Sequence, residues 1–172
     1  HAMDYIIGEI NPDLDVMTIG AEGVKVYTNL DTATLYNIGL DASYTFSPAL
    51  DLNGRVTYHR GKDQDNRNLP FISPLSYMAQ VQYRQGNFSG SIGIRGAADQ
   101  INFNPVFGED RTEAYTVFSA SLGKTFLIQK DKVLVKAGVE NVFDTFYSTY
   151  TDWNNIPRMG RNFYMTVSYA IN

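Results

Sequence analysis

The sequence contains no cysteine, and only 19% of its 172 residues are charged. The absence of cysteine excludes a disulfide framework and thiolate metal sites. Lys and Arg total 14 against 18 Asp and Glu and are scattered along the chain, which gives no basic footprint for nucleic acid. The sequence has no GxGxxG nucleotide loop and no G-x-S-x-G nucleophile elbow. We therefore expect no enzyme, no cofactor and no nucleic-acid partner.

The sequence also lacks a long apolar run. No window approaches the ~20 consecutive apolar residues of a membrane-spanning helix, and the mean hydropathy of −0.25 is that of a water-soluble protein. A transmembrane β-barrel is the exception, because its strands alternate lipid-facing and lumen-facing residues. The chain is rich in the residues of strands and turns, with 12 Tyr, 14 Gly and 13% aromatic residues. This composition favours the all-β class.

Apolar and polar residues alternate with a period of two along much of the chain. In NFYMTVSYAI, at 162–171, every second residue from Phe163 to Ile171 is apolar and shares one face of a strand. Most alternating segments hold about ten residues, the length of a tilted membrane-spanning strand. The pattern predicts an antiparallel up-and-down meander of about eight strands, at 4–10, 24–36 continuing into 37–46, 50–60, 76–85, 87–97, 116–126, 132–140 and 162–171.

The run from 24 to 46 is too long for one bilayer crossing, so we expect part of it to project into water. Predicted connections alternate between short and long. The short turns are at 47–49, 86 and 127–131, and the long loops at 11–23, 61–75, 98–113 and 143–160. Outer-membrane barrels have short periplasmic turns and long outer loops. A soluble, ligand-carrying β-barrel shares the strand alternation but has less reason to separate its loops by length.

The strand pattern predicts which residues face lipid in a transmembrane barrel. These residues are Tyr83, Ile92, Ile94, Leu122, Val133, Val135, Phe163, Met165, Val167 and Tyr169. Lys124 shares their parity near a short turn, where its ammonium group can reach the lipid head groups. The expected surroundings of this face are outer-membrane lipid.

The last long loop combines aromatic side chains with hydrogen-bonding groups, a mixture that suits recognition of a bulky chelate or sugar at the outer mouth. The candidate substrate-binding residues are Tyr147, Tyr150, Trp153, Asn154 and Arg158. For Tyr147 and Tyr150 the alternative is a place in the aromatic girdle at the membrane interface. His59, the only histidine beyond position 1, lies at a strand end, where a solvated residue is more common than a ligand. We predict no metal site.

Two motifs near the C-terminus resemble the last strands of TonB-dependent outer-membrane receptors. GVENVFD, at 138–144, is similar to the G-x-x-N-[LV]-F-D motif that ends their penultimate strand, and PRMGR, at 157–161, is similar to the stretch before their last strand. The resemblance covers most of residues 30–171. It implies an outer-membrane location and active transport of a scarce solute such as a siderophore, metal chelate, cobalamin or saccharide.

The resemblance also implies partners and missing parts. Receptors of this family close about 22 strands around a plug domain, so we expect residues 4–172 to be the C-terminal part of a barrel. Residues 1–3, His-Ala-Met, resemble a cloning remnant, and we expect them to be left from a tag. The expected partners are the rest of the barrel, the plug, and a TonB-type energy-coupling protein that contacts the missing N-terminal part. The family usually ends on an aromatic residue, whereas Ile171 and Asn172 stand here.

Three hypotheses make different predictions about the sheet. A receptor fragment has unpaired strands at both edges and is expected to oligomerise through them. A free-standing small barrel, with a structural or adhesive role, pairs its first strand with 162–171, and eight is a permitted strand number. A soluble ligand-carrying barrel turns the apolar set inward.

Overall fold

The computed structural model of the chain describes residues 2–14, 16–20 and 23–171. Within them, eight strands form one antiparallel sheet in which each strand pairs with the next along the chain. In order they are β1 (Ala2–Asn11), β2 (Val24–Ser47), β3 (Leu50–Asp63), β4 (Ser76–Gln85), β5 (Phe88–Ala97), β6 (Tyr115–Ile128), β7 (Asp131–Glu140) and β8 (Asn162–Ala170). The predicted all-β meander is confirmed.

Two short 3-10 turns, Pro105–Phe107 and Trp153–Asn155, lie in the connections. Across the described residues, the structure contains no helix with the length and apolar character that a bilayer crossing requires. Of the predicted tag remnant, Ala2 and Met3 pair with Ala33 and Thr32 at the start of β1, and His1 lies outside the described residues.

The segments predicted at 24–36 and 37–46 form a single strand, β2, of 24 residues. At ~3.4 Å per residue such a strand extends about 80 Å, far beyond the ~25 Å apolar band of a transmembrane barrel. Its two parts have different partners: Val24–Ala33 pairs with β1, and Ala33–Ser47 pairs with β3. The β1–β2 hairpin therefore extends past the rest of the sheet.

The register places the apolar residues of neighbouring strands on one face, because directly opposed residues of antiparallel strands share a face. One row across β4 to β8 consists of Val81, Ile92, Ala120, Val139 and Phe163. The next row toward the short turns consists of Tyr83, Gly90, Leu122, Ala137 and Met165. All of the residues predicted to face lipid lie on this side, which we call the apolar face.

The opposite side, the polar face, carries cross-strand polar pairs. Arg55 Nε lies 2.5 Å from Asp41 Oδ1 between β3 and β2, and Arg84 Nη2 lies 2.7 Å from Asp51 Oδ2 between β4 and β3. Further across the sheet, the hydroxyl groups of Ser91 and Ser121 are 2.8 Å apart. The two faces thus differ in polarity as the sequence alternation predicts.

The connections alternate in length as predicted. Short turns at 48–49, 86–87 and 129–130 join β2 to β3, β4 to β5 and β6 to β7. The long connections are at 12–23, 64–75, 98–114 and 141–161, so they lie at the opposite end of the sheet. In the described residues no ladder joins β1 to β8, and the sheet is open at both edges.

A small buried cluster lies where the long β1–β2 hairpin meets the loop at 64–75. Ile7, Leu30, Ala33 and Leu69 are each at most 4% exposed, with Ile72 packed against them. A β-carbon at Gly61 would come within 2.8 Å of Ile72 Cδ1, so the loop presses directly on β3 at this point. This packing fixes the loop against the sheet and positions its tip for contacts with the neighbouring loop.

Candidate functional site in the long loops

Three of the long connections meet at one end of the sheet, and we call them loop A (64–75), loop B (98–114) and loop C (141–161). Loops A and B are joined by reciprocal amide contacts. The Asn68 side chain donates to the Phe103 carbonyl oxygen at 3.2 Å, and the Asn104 side chain donates to the Asn68 carbonyl oxygen at 2.9 Å. Because backbone oxygens accept these bonds, the contacts fix the path of both loops.

Glu109 reinforces the junction between loops A and B. Its Oε1 accepts a hydrogen bond from the Phe71 backbone N–H at 2.7 Å, and its Oε2 accepts from the Asn104 backbone N–H at 2.8 Å. A carboxylate that accepts two backbone N–H groups forms charge-assisted bonds, which are stronger than neutral ones. Asn104 in turn begins the 3-10 turn, since its side chain accepts from the Phe107 backbone N–H.

Asn155 links loop C to loop B. Its side-chain nitrogen donates to the Arg111 carbonyl oxygen at 3.0 Å, and its side-chain oxygen accepts from the Thr112 hydroxyl at 2.9 Å. Thr112 is buried, and its backbone pairs with Gln100 across loop B. The three loops are therefore one connected hydrogen-bonded layer.

The base of loop C is closed by the residues of the two C-terminal motifs. Asn141, which is 4% exposed, donates to the Thr145 carbonyl oxygen at 2.8 Å and accepts from the Thr145 N–H at 2.8 Å. Asp144 Oδ1 accepts from the Arg161 N–H at 2.7 Å, and Arg161 Nε donates to the Val142 carbonyl oxygen at 2.8 Å. A β-carbon at Gly160 would overlap Asp144 Oδ1. The motifs thus form a single clamp that joins the end of β7 to the start of β8.

The distal part of loop C is fixed by Asp152. Arg158 binds its carboxylate with both Nε and Nη2, at 2.7 and 2.6 Å, and the Thr149 N–H donates to it at 2.7 Å. Burial alone would raise the pKa of the Asp152 carboxyl, but the hydrogen bonds from Arg158 and Thr149 outweigh burial and hold that pKa below its usual value of 3.8. The same pairing raises the pKa of Arg158.

Tyr147 packs loop C against β6. Its ring lies 4.5 Å from the ring of Tyr115, centroid to centroid, and its hydroxyl accepts from Arg95 Nη2 at 3.3 Å. Only 9% of Tyr147 is exposed. The Arg158 backbone N–H donates to the Tyr147 carbonyl oxygen at 2.8 Å, so this tyrosine also connects the two sides of the loop.

A small cleft lies between the three loops. Its volume is about 50 Å³, and its lining includes Phe71, Phe107, Glu109, Tyr150, Asn154 and Asn155. Pockets for drug-sized ligands occupy roughly 300–1,000 Å³, so this cleft holds no more than a small part of a chelate or sugar. The cleft places aromatic side chains beside carboxylate and amide groups.

The predicted substrate-binding residues have different surroundings. Tyr150 and Asn154 meet in the cleft. Tyr147 is buried against Tyr115, and Arg158 is engaged with Asp152. The backbone of Trp153 begins the second 3-10 turn, but its side chain lies outside the described part of the structure. The predicted role of these residues in binding stays a prediction.

His59 has a hydrogen-bonding partner on the polar face, since its Nδ1 lies 2.7 Å from Asn37 Oδ1. Among the described residues there is no group of three or more His, Cys, Asp or Glu that could hold a metal ion.

Sequence reasoning did not single out Glu109, Asp152 or the role of Asn104. The Asn-Pro pair at 104–105 is a turn signal that could have indicated the cap. No local pattern indicates that Glu109 reaches Phe71, because these residues are 38 positions apart.

Comparisons with known proteins agree with this architecture. The sequence matches, over residues 6–142, the family described as TonB dependent receptor-like, beta-barrel. The solved copper transporter OprC aligns with a TM-score of 0.81 and 25% identity, over 95% of this chain and 27% of OprC. The ferric-catecholate import receptor Fiu from E. coli K12, in its closed form, aligns with a TM-score of 0.62 and 19% identity, over 93% of this chain and 22% of Fiu.

The chain therefore spans about a quarter of the length of these two solved receptors. No curated protein sequence matches it.

Proposed function

Since the chain belongs to the β-barrel family of TonB-dependent receptors, we propose that it forms the C-terminal part of the wall of an outer-membrane receptor for a scarce solute. The matching region and the alignment with two solved receptors support this proposal. In the complete receptor the partners are the rest of the barrel, a plug domain and a TonB-type energy-coupling protein.

The observation that carries the proposal is the exposure of the apolar face. Leu122, Phe163 and Met165 are 76%, 74% and 72% exposed. The largest apolar patch of a typical soluble monomer covers about 300–600 Å² and marks a site of interaction, whereas this face extends over five neighbouring strands. Surrounding lipid satisfies such a face without a protein partner.

The connections give the orientation. Short turns belong to the periplasmic end of an outer-membrane barrel and long loops to the outer end. Loops A, B and C therefore face the exterior in our proposal, where a solute arrives.

The open sheet and the exposed apolar face favour a segment of a receptor wall over a free-standing small barrel and over a soluble carrier. A free-standing small barrel requires a ladder between β1 and β8, and the described residues form none. A soluble carrier requires the apolar set to be enclosed, whereas Ile92, Val167 and Tyr169 are each at least 59% exposed.

For the solute, we favour a metal chelate over a bare ion. Both solved relatives are named for the transport of a metal, copper for OprC and a ferric catecholate for Fiu. The described residues of this chain offer no metal-binding group of three or more ligands. The loop cleft instead offers Tyr150, Asn154 and Asn155, whose aromatic and amide groups can contact the organic part of a chelate.

The test of the proposed function is whether the purified chain needs detergent to stay monomeric, measured by light scattering with and without detergent. Dependence on detergent is the expected result. A monodisperse monomer without detergent would overturn the proposal, because the apolar face would then have to be enclosed in water.

A further inference from the structure

An open groove runs across the apolar face. Its volume is about 700 Å³, and its walls are formed by large side chains that include Val81, Tyr83, Ile92, Leu122 and Phe163. The floor consists of small residues on central strands, Gly90, Ala120 and Ala137. Large side chains at these floor positions would fill the groove, so its depth is set by the sequence.

The groove continues toward the short turns. An adjoining groove of about 560 Å³ shares Tyr83, Gly90, Leu122 and Ala137 with the first and extends to Lys124. There the Lys124 ammonium group lies 4.9 Å from the ring centre of Phe88 and 5.2 Å from that of Phe126. These distances are within the range of cation–π attraction, so two aromatic rings position the cation at the end of the groove.

Lys124 is an exception to the chemistry of this face. Among the described residues of β4 to β8 it is the one basic side chain on the apolar face, where Asp131, the first residue of β7, is the acidic one. It pairs with Phe88, the first residue of β5, and so lies close to the turn that joins β4 to β5. The distance from Lys124 to Ala120 along β6 is about 14 Å at ~3.4 Å per residue, and the two adjoining grooves together cover this length.

Resting on the proposed function, we propose that this groove binds one phospholipid of the periplasmic leaflet, with an acyl chain between Leu122 and Phe163 and the phosphate on Lys124. Charge complementarity selects this occupant, because an acyl chain fits the apolar walls and a phosphate matches the single cation. On a second copy of the same face the acidic side chain, Asp131, already accepts a hydrogen bond from the Tyr169 hydroxyl. The short turns, which are periplasmic in the proposed orientation, place the cation at the depth of the head groups.

Native mass spectrometry of the full chain in detergent tests the proposal, with phosphatidylglycerol as the probe and diacylglycerol as its counterpart without phosphate. Lys124→Gln is expected to weaken phosphatidylglycerol binding about fivefold and to leave diacylglycerol binding unchanged. Lys132→Gln, near the same turn end but on the polar face, is the matched control and is expected to bind as the unmodified chain does. Ala137→Phe fills the groove and is expected to weaken binding of both lipids.

Equal phosphatidylglycerol binding by the Lys124→Gln and Lys132→Gln chains would overturn the phosphate site, and unchanged binding by Ala137→Phe would overturn the groove. Light scattering without detergent separates these failures from failure of the proposed function. If the chain needs detergent and the Lys124→Gln variant binds phosphatidylglycerol as well as the unmodified chain does, only the lipid site is refuted. A chain that is monomeric without detergent refutes both.

Discussion

Gly160 and Asp144 meet at the base of loop C with no space between them. Asp144 adopts a left-handed backbone conformation, with φ of 57°, and its carboxylate accepts the Arg161 N–H. Asp and Asn tolerate this conformation better than most residues because their short side chains bond to nearby backbone. The carboxylate acceptor at position 144 and the absence of a side chain at position 160 thus depend on each other.

Gly160→Ala is expected to destabilise loop C by about 1 to 3 kcal/mol, the usual cost of forcing a methyl group into a packed site. The new β-carbon would displace the Asp144 carboxylate from the Arg161 N–H. Hydrogen–deuterium exchange over residues 141–161 measures the effect. Gly39→Ala is the matched control, since the nearest atom to a β-carbon there is Thr57 Cγ2 at 3.9 Å. Similar exchange in both variants would contradict the clamp.

Asp152 makes the order of loop C dependent on pH. Its pKa in the folded chain is lower than its usual value of 3.8, so the ionised form stabilises the loop. This stability is fully present above the usual pKa and is lost as the pH falls through the lower, folded value. Protease cleavage within loop C is therefore expected to be slow at neutral pH and to increase only below about pH 4.

Asp152→Asn is expected to destabilise loop C at neutral pH by about 1 to 2 kcal/mol, because the charge-assisted bonds from Arg158 are lost. The loss is no larger because ion pairs near the surface contribute little to stability. Cleavage by the same protease at pH 7 measures this change. Asp110→Asn, at an exposed carboxylate of loop B, serves as the control. If the two variants are cut at the same rate, Asp152 does not fix the loop.

At the scale of the strand, neighbouring residues of β8 face opposite sides of the sheet. Val167 pairs with Val135 on the apolar face, and Thr166 pairs with Lys136 on the polar face. Val167→Arg is expected to prevent insertion into membranes, because a charge facing lipid at the midplane costs ~2 to 4 kcal/mol. Thr166→Arg is expected to be tolerated. The fraction of chain extracted from reconstituted membranes by alkaline wash measures both, and equal losses would contradict the assignment of the faces.

The strands could be predicted from the sequence because period-two alternation is a local signal. The structure agrees within a few residues for most of them, and it joins 24–36 and 37–46 into β2 although alternation is weaker in the first part. The loop contacts could not be predicted in the same way. Glu109 to Phe71 and Asn155 to Arg111 join residues 38 and 44 positions apart, and only the folded sheet brings those loops together.

The candidate site was partly predictable, because the composition of a single loop is also a local signal. A cluster of aromatic and amide residues in one loop identified Tyr150 and Asn154, which do line the cleft. Composition alone could not separate them from Tyr147, which has the same chemistry but is buried against Tyr115. That difference depends on the position of β6 beneath loop C.

For the whole molecule, the main consequence of the topology is a sheet with two open edges. β8 pairs with β7 on one side, and the described residues provide no ladder on its other side. An unpaired edge exposes backbone N–H and C=O groups that can pair with another chain, and a lysine on the edge strand is one way in which proteins prevent this.

We therefore expect the chain in detergent to associate in a concentration-dependent manner. The variant Ser168→Lys, on β8, is expected to weaken that association by up to about fivefold, because each pair of like charges opposed across strands costs about 0.2 to 1 kcal/mol. Ser168 is exposed on the polar face. Gln82→Lys is the control, because it also lies on the polar face but in β4, which is paired on both sides. Light scattering over a range of protein concentrations measures the effect. If both variants associate like the unmodified chain, association does not use the β8 edge, and the apolar face would be the surface to test next.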